Sequence, residues 1–221
     1  MKTSKKIFLS FFALMLIILI ALPIYIKKSI SDAVIQKEEY NQEEISLPPF
    51  NHLIINNNTC TEIGEADENT ISYSFPKDSL IDVIEYQLSG DTLILPSQET
   101  RKKQRVKINC GKLKSITYQV SLSINKSQDT LTICSKAGQA IIRGDSFKQL
   151  NIEGQGGKVR TTKSLYIDEL NVHLNNTKLD FYNVQINKLN ATMKNKARLS
   201  IKKANSISIS KDETCQFKES A

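Results

Sequence analysis

The chain has 221 residues, 24% of them charged and 7% aromatic, with a formal net charge of +7 and four cysteines. That length holds one domain of ordinary size plus an accessory segment, since domains run to roughly 100–200 residues. Residues 1–28 contain five lysines and no acid, which leaves 25 basic against 23 acidic residues beyond them; a net of +2 there gives no reason to expect a nucleic-acid partner.

The N-terminus reads MKTSKK, a short n-region over 1–6, followed by the uncharged apolar run IFLSFFALMLIILIALPIYI over 7–26. A bilayer core is crossed by about 20 apolar helical residues, whereas the apolar part of a secretory signal is about 7–15 residues long. The run is therefore expected to be a transmembrane anchor. The competing reading is a cleaved signal with secretion, but the one passable cleavage pattern, Ser31-Asp32-Ala33, lies beyond Lys27 and Lys28. Lys2, Lys5, Lys6 and the amino group make the leading flank the more positive one, and such a flank stays cytoplasmic. A single-pass inner-membrane protein with its C-terminal part outside the cytoplasm is the expectation. Residues 27–49 are polar, rich in glutamate and closed by Pro48-Pro49, which stop helix and favour extended backbone; they read as a spacer.

From Phe50 the pattern changes. TISYSF sets Ile71, Tyr73 and Phe75 on one side, LSGDTLIL places a Gly90-Asp91 turn before a strand, RVKIN follows, and SITYQVSLSI alternates Ile116, Tyr118, Val120, Leu122 and Ile124 with polar residues. Period-two alternation marks strands with one buried face. The run Arg101-Lys102-Lys103-Gln104-Arg105 reads as a solvated loop. Further on, LTI at Leu131, LNI at Leu150, LNV at Leu170, LNA at Leu189 and ISI at Ile207 recur at intervals of 19, 20, 19 and 18. Phe147, Ile167, Ile186 and Ala204 precede the later starts by three positions, and Ala140, Val159, Leu179 and Leu199 follow nine or ten after.

A β-rich repeat of about 19 residues implies a solenoid whose coils stack on one another. The expected fold is all-β, a right-handed parallel β-helix over 50–217 with a tail over 218–221, the hand following from the near-universal handedness of parallel crossovers. Leu131, Leu150, Leu170, Leu189 and Ile207 would form an inward stack. Asn151, Asn171 and Asn190 would form an outward ladder, since asparagines on successive rungs hydrogen-bond to one another. The rival is a leucine-rich-repeat-like solenoid, which IDELNVHLN fits in isolation; against it, the later half of each unit (KLDFYNV, ARLSIKK) reads as strand.

The strands FNHLIIN, ISYSF and SGDTLIL, the V-x-I strand followed by LKSI, and coils such as LNIEGQGG together resemble the family called "putative autotransporter adhesin, head GIN domain", β-helical domains of bacterial envelopes. The resemblance covers residues 50–215. It departs at the corners, where Gly154-Gln155-Gly156-Gly157 stands alone and Asn175-Asn176-Thr177 and Lys194-Asn195-Lys196 replace the glycine-rich turns usual in the family.

All four cysteines fall on the exported side, where disulfides persist, and four allow three full pairings. On the solenoid Cys134 and Cys215 are about four rungs, or roughly 19 Å, apart, beyond the roughly 4.4–6.8 Å between Cα atoms that a disulfide spans. Cys60 with Cys110 is the bridge expected, with Cys215 packed in the last coil. No CxxC spacing occurs and His52 and His173 are the only histidines, so neither a metal site nor a cofactor is expected. His173, next to inward Val172, is expected to face solvent. Glu153, Asp168, Glu169 and Asp180 fall in different outward columns, so no paired carboxylates are implied and no catalytic residues are named. The reading is a non-enzymatic, adhesin-like binding module for an envelope protein or a glycan. The alternatives are a glycan-active enzyme and a structural factor of envelope assembly.

Overall fold

The computed structural model describes residues 15, 18–19, 21–23, 40–56, 60–76, 85–97 and 105–220. It falls into two units, 1–39 and 40–221. In the first, the described residues Met15, Ile18, Leu19, Ala21, Leu22 and Pro23 are helical and exposed. No helix among the described residues is long and apolar enough to cross a membrane, and most of the run over 7–26 lies outside them.

The second unit is all-β, a solenoid of about six turns. Its strands are β1 (Tyr40–Ser46), β2 (His52–Ile55), β3 (Cys60–Glu65), β4 (Thr70–Pro76), β5 (Gln87–Ser89), β6 (Thr92–Leu95), β7 (Arg105–Cys110), β8 (Ser115–Tyr118) and β9 (Leu122–Asn125). There follow β10 (Gln128–Ser135), β11 (Gln139–Ile142), β12 (Ser146–Gly154), β13 (Lys158–Thr161), β14 (Leu165–Asn175), β15 (Lys178–Lys194), β16 (Arg198–Lys211) and β17 (Gln216–Glu219).

Three ladders hold the coils together. In the first, β6, β2, β8, β10, β12, β14, β15 and β16 pair in parallel, stacking Leu93, Leu53, Ile116, Ile133, Ile152, Val172, Ala191 and Ile209. In the second, β7, β3, β9, β11, β13 and the leading halves of β15 and β16 pair in parallel as far as β17, with Val159, Leu179 and Leu199 among the inward residues. A third joins Gln128, Phe147, Ile167, Ile186 and Ala204. Most of these inward side chains are fully buried, each apolar one contributing about 1.5–3 kcal/mol when its surface leaves water. The strands of the repeats thus lie on three sides of each coil, where a leucine-rich repeat would place one.

The N-terminal coils are not in chain order. β6 lies outside β2 on the first ladder and β7 outside β3 on the second, while β4 runs antiparallel to β7 and β1 antiparallel to β4. The segment expected as a spacer therefore carries a strand, β1, whose Ile45 packs against the core. Backbone pairing to the edge of β4 orders this polar stretch, a tertiary term that local composition does not carry. The stretch SITYQVSLSI is two strands, because the chain turns a corner at Gln119–Ser121 to pass from the first ladder to the second.

The stacked corners need left-handed backbone. Gly138 (φ +74) and Gly157 (φ +79) occupy it, and a Cβ on either would collide with the corner of the preceding coil. In the next coils Asn176 (φ 50), Asn195 (φ 54) and Lys196 (φ 62) take the same region, which asparagine tolerates better than most residues. The corners are tied coil to coil by Lys158 N to Gly138 O (2.9 Å), Lys178 N to Gly157 O (3.0 Å) and Arg198 N to Thr177 O (3.0 Å).

A candidate binding face

The outward residues of the three ladders differ in charge. On the first ladder the columns are mostly neutral. Asn171 Nδ2 donates to Asn151 Oδ1 at 3.0 Å and Asn190 Nδ2 to Asn171 Oδ1 at 2.8 Å, while Asn151 Nδ2 reaches Thr132 Oγ1 at 3.3 Å. Beside them Glu169 accepts from Lys188 (2.9 Å) and Asn190 (3.1 Å). The amides are consumed by one another, which makes this column a clasp between coils.

The second ladder collects the cations. Its central outward column runs Ser72, Lys107, Glu62, Ser123, Ile141, Arg160, Asp180, Ser200, Lys218. The column beside it includes Arg105, Cys60, Gln139, Lys158, Lys178 and Arg198, and Arg143 stands at the end of β11. Among the described residues this face carries eight cationic side chains and the carboxylates Glu44, Glu62 and Asp180. Asp180 is only 7% exposed and holds Lys158 Nζ at 2.8 Å and Lys178 Nζ at 3.4 Å. Only donors face one end of the Gln139 amide, which assigns its oxygen there; so oriented, it accepts from Arg160 Nε (2.7 Å) and Nη2 (3.1 Å). Several of the cations are thus held in place by neighbours.

At the N-terminal end of this face the surface sinks into a groove of about 540 Å³. Ser123 on β9, Ser121 in the corner before it, and Ser72 and Ser74 on β4 line it, short side chains between longer neighbours. Arg105, Lys107 and Arg143 rise around it, with Gln42, Gln139, Glu62 and the exposed thiol of Cys60. Glu62 is oriented by Asn125 Nδ2 at 2.6 Å. Such a set offers hydroxyl, amide and guanidinium donors in one shallow site.

The residues singled out in the sequence fall as follows. Leu131, Leu150, Leu170 and Leu189 are fully buried on consecutive rungs, whereas Ile207, paired with Leu189, is 38% exposed. Ile207 lies on the last rung of the first ladder, where no further coil covers it. Cys60 and Cys110 stand at opposite ends of the β3–β7 pairing, Cys60 opposite Arg105 and Cys110 opposite Glu65. Five residues of strand, roughly 16 Å, separate them, and both are free thiols; the expected bridge is not formed. Sequence spacing misplaced them because it does not show which ends of neighbouring strands meet. Cys110 is buried, which pushes its thiol pKa up. Cys134 and Cys215 are also free, and Cys134 Sγ lies 3.6 Å from Glu153 Oε2.

His173 is exposed on the first ladder between Glu153 and Thr192. Asp168 accepts from Asn187 at 2.8 Å. Glu153 and Asp180 sit on different ladders, so the outward carboxylates do not converge. One contact escaped the sequence: His52 Nδ1 lies 2.7 Å from Ser115 Oγ, and its Nε2 lies 3.8 Å from Asp91 Oδ2. Asn51 holds that carboxylate at 3.1 Å and lowers its pKa. The order of groups is that of a hydrolytic triad, but the adjacent amides are committed: Asn51 N and His52 N donate to Asp91 O, and Lys114 N and Ser115 N to Asn51 O. None of these four N–H groups is free to hold an oxyanion. Among the described residues no cluster of His, Cys, Asp or Glu could hold a metal ion.

No protein family matches the sequence, and neither does any curated protein. Solved structures do match the fold. A "putative adhesin" of Bacteroides fragilis superposes with a TM-score of 0.64 at 14% identity, over 83% of this chain and 98% of its own. A "putative adhesin" of Parabacteroides distasonis gives 0.49 at 10% identity, over 82% and 98%. A "putative lipid binding protein" of the same species gives 0.44 at 13%, over 84% and 96%. At these identities the first likeness is one of fold, and the other two carry no argument.

Proposed function

We propose that this protein is a membrane-anchored, extracytoplasmic binding module, without catalytic activity, whose right-handed solenoid presents the second ladder's outer face to an envelope protein or glycan. The observation that carries the reading is the union of a groove edged by arginine, lysine and glutamine side chains and a row of cations, three of them positioned by neighbours, on one face. Solenoids offer such extended surfaces because successive coils repeat the same geometry. Two further features support it: the apolar run over 7–26, long enough to cross a bilayer, and the adhesin-like fold of the B. fragilis neighbour. The chain is placed by the same reading with the head GIN family that its strand pattern resembles. Glycan hydrolysis is disfavoured by the separation of Glu153 from Asp180 and by the use of Asp180 to hold two lysines.

The experiment is cross-linking in native membranes with the full chain, followed by purification and mass spectrometry. Enrichment of one or two envelope components, reduced when Arg105 and Lys107 are replaced by glutamine, supports the module. Measurable turnover of an envelope glycan by the purified chain overturns it.

A further inference from the structure

Building on that reading, we propose that the basic face binds an acidic polysaccharide, a glycan bearing carboxylate or sulfate groups, laid along the solenoid axis with one end in the groove. Successive rungs are about 4.8 Å apart, so the run from β7 to β17 sets cations over roughly 34 Å. A row of that length suits a linear polyanion better than one small anion.

Three of the cations are held in place before any ligand arrives. Lys158 and Lys178 are held by Asp180, and Arg160 by Gln139; side chains already restrained lose less freedom on binding. Asp180 neutralises part of their charge, which leaves Arg105, Lys107, Arg143, Arg198 and Lys218 exposed to attract the ligand. Arginine suits carboxylate and sulfate because its planar fork donates two parallel bonds. Between the cations Ser74, Ser121 and Gln139 line the groove with groups that match sugar hydroxyls, whereas Ser72 and Ser123 are nearly buried and Ser123 Oγ donates to Asn125 Oδ1 at 3.3 Å. A single-stranded nucleic acid would want a row of exposed aromatic side chains on which to stack its bases, and among the described residues Tyr182, at the margin, is the one exposed aromatic of this face. An anionic bilayer would favour an apolar rim for insertion, whereas the exposed side chains about the groove include Arg105, Lys107, Arg143 and Ser121.

The test uses the full chain in nanodiscs of zwitterionic lipid, with polygalacturonate, heparin, neutral dextran, a single-stranded oligonucleotide and phosphatidylglycerol vesicles as separate probes. Two charge-matched variants are compared: Arg105→Gln with Lys107→Gln on the face, and Lys148→Gln with Lys203→Gln on the third ladder. All four positions are exposed, and circular dichroism checks the fold of both variants. The expected result is binding of polygalacturonate or heparin but not dextran, weakened about tenfold by the first variant and little changed by the second, equivalent to about 1.4 kcal/mol, with affinity falling as salt shortens the range of the charges.

Equal weakening by both variants would reduce the effect to net charge and sink the proposal. So would tighter binding of the oligonucleotide or of the vesicles. Failure to bind either acidic glycan, while the cross-linked envelope partner is still captured, would overturn this inference and leave the module intact. Loss of both would remove the module as well.

Discussion

At the scale of single residues, direction decides energy. Val172 is fully buried in the first ladder's stack and His173, one position on, is exposed, because strand side chains alternate between faces. Val172→Asp should lower stability by about 4 kcal/mol or more, since an unpaired charge in a packed interior is rarely tolerated; His173→Gln should change it by less than about 0.5 kcal/mol, as exposed substitutions do. Equal melting temperatures would contradict the register. Tyr118 is wholly buried, and burial pushes its phenol up to about 12. Tyr73 is raised to about 12 by burial and then by Glu43, to which its hydroxyl donates. A phenol that ionises near 10 in the unfolded chain but near 12 in the folded one contributes stability that is complete below pH 10 and disappears as the pH rises to 12. Ultraviolet absorption followed against pH should show phenolate appearing late, together with loss of β structure; full tyrosine ionisation by pH 10.5 in the folded chain would refute the burial. Lys126 shows the opposite sign. It is 3% exposed, burial lowers its pKa, and its ammonium donates to the carbonyl oxygens of Cys110 (3.3 Å) and Gly111.

At the scale of elements, the period of 19 becomes a coil and the repeated asparagine becomes a clasp. Asn171 both donates to Asn151 and accepts from Asn190, so Asn171→Ala removes two half-buried bonds and should cost about 1–2 kcal/mol. Thermal unfolding of that variant beside Asn205→Ala, whose single bond to Asn187 is exposed, measures the difference; indistinguishable values would deny the ladder a structural role. The corners show how one requirement is met by different residues. Glycine satisfies it at Gly138 and Gly157, and Asn176, Asn195 and Lys196 satisfy it further along. The departure from glycine-rich corners noticed in the sequence is therefore a change of residue within a common backbone form. Strand β1 teaches the complementary lesson. QEEIS has little of the hydrophobic alternation of a core strand, and it is a strand because β4 offers its edge.

At the scale of the whole molecule, the proposed anchor makes its own prediction. Alkaline carbonate treatment of membranes from producing cells should leave the full chain in the pellet, and removal of residues 7–26 should release it; recovery of the full chain in the supernatant would refute the anchor. Much of the architecture was legible in the chain, because a solenoid writes its period into the sequence: Leu131, Leu150, Leu170 and Leu189 announce the coils through local repetition alone, and Phe147, Ile167 and Ile186 repeat with them, although that they form a ladder of their own is seen only in the fold. Three matters were decided only by tertiary structure. The N-terminal coils interleave, β6 outside β2, because strands pair with whichever edge is free and not with their neighbours in sequence. Cys60 and Cys110 lie at opposite ends of one pairing, a fact of register that spacing does not encode. The cations beyond residue 28 are nearly balanced by acids when counted along the chain, yet Arg105, Lys107, Arg160 and Arg198 share one face, because stacking brings together residues that stand about twenty or more positions apart. Charge composition is a sum over the chain, and a binding surface depends on where the coils place each charge.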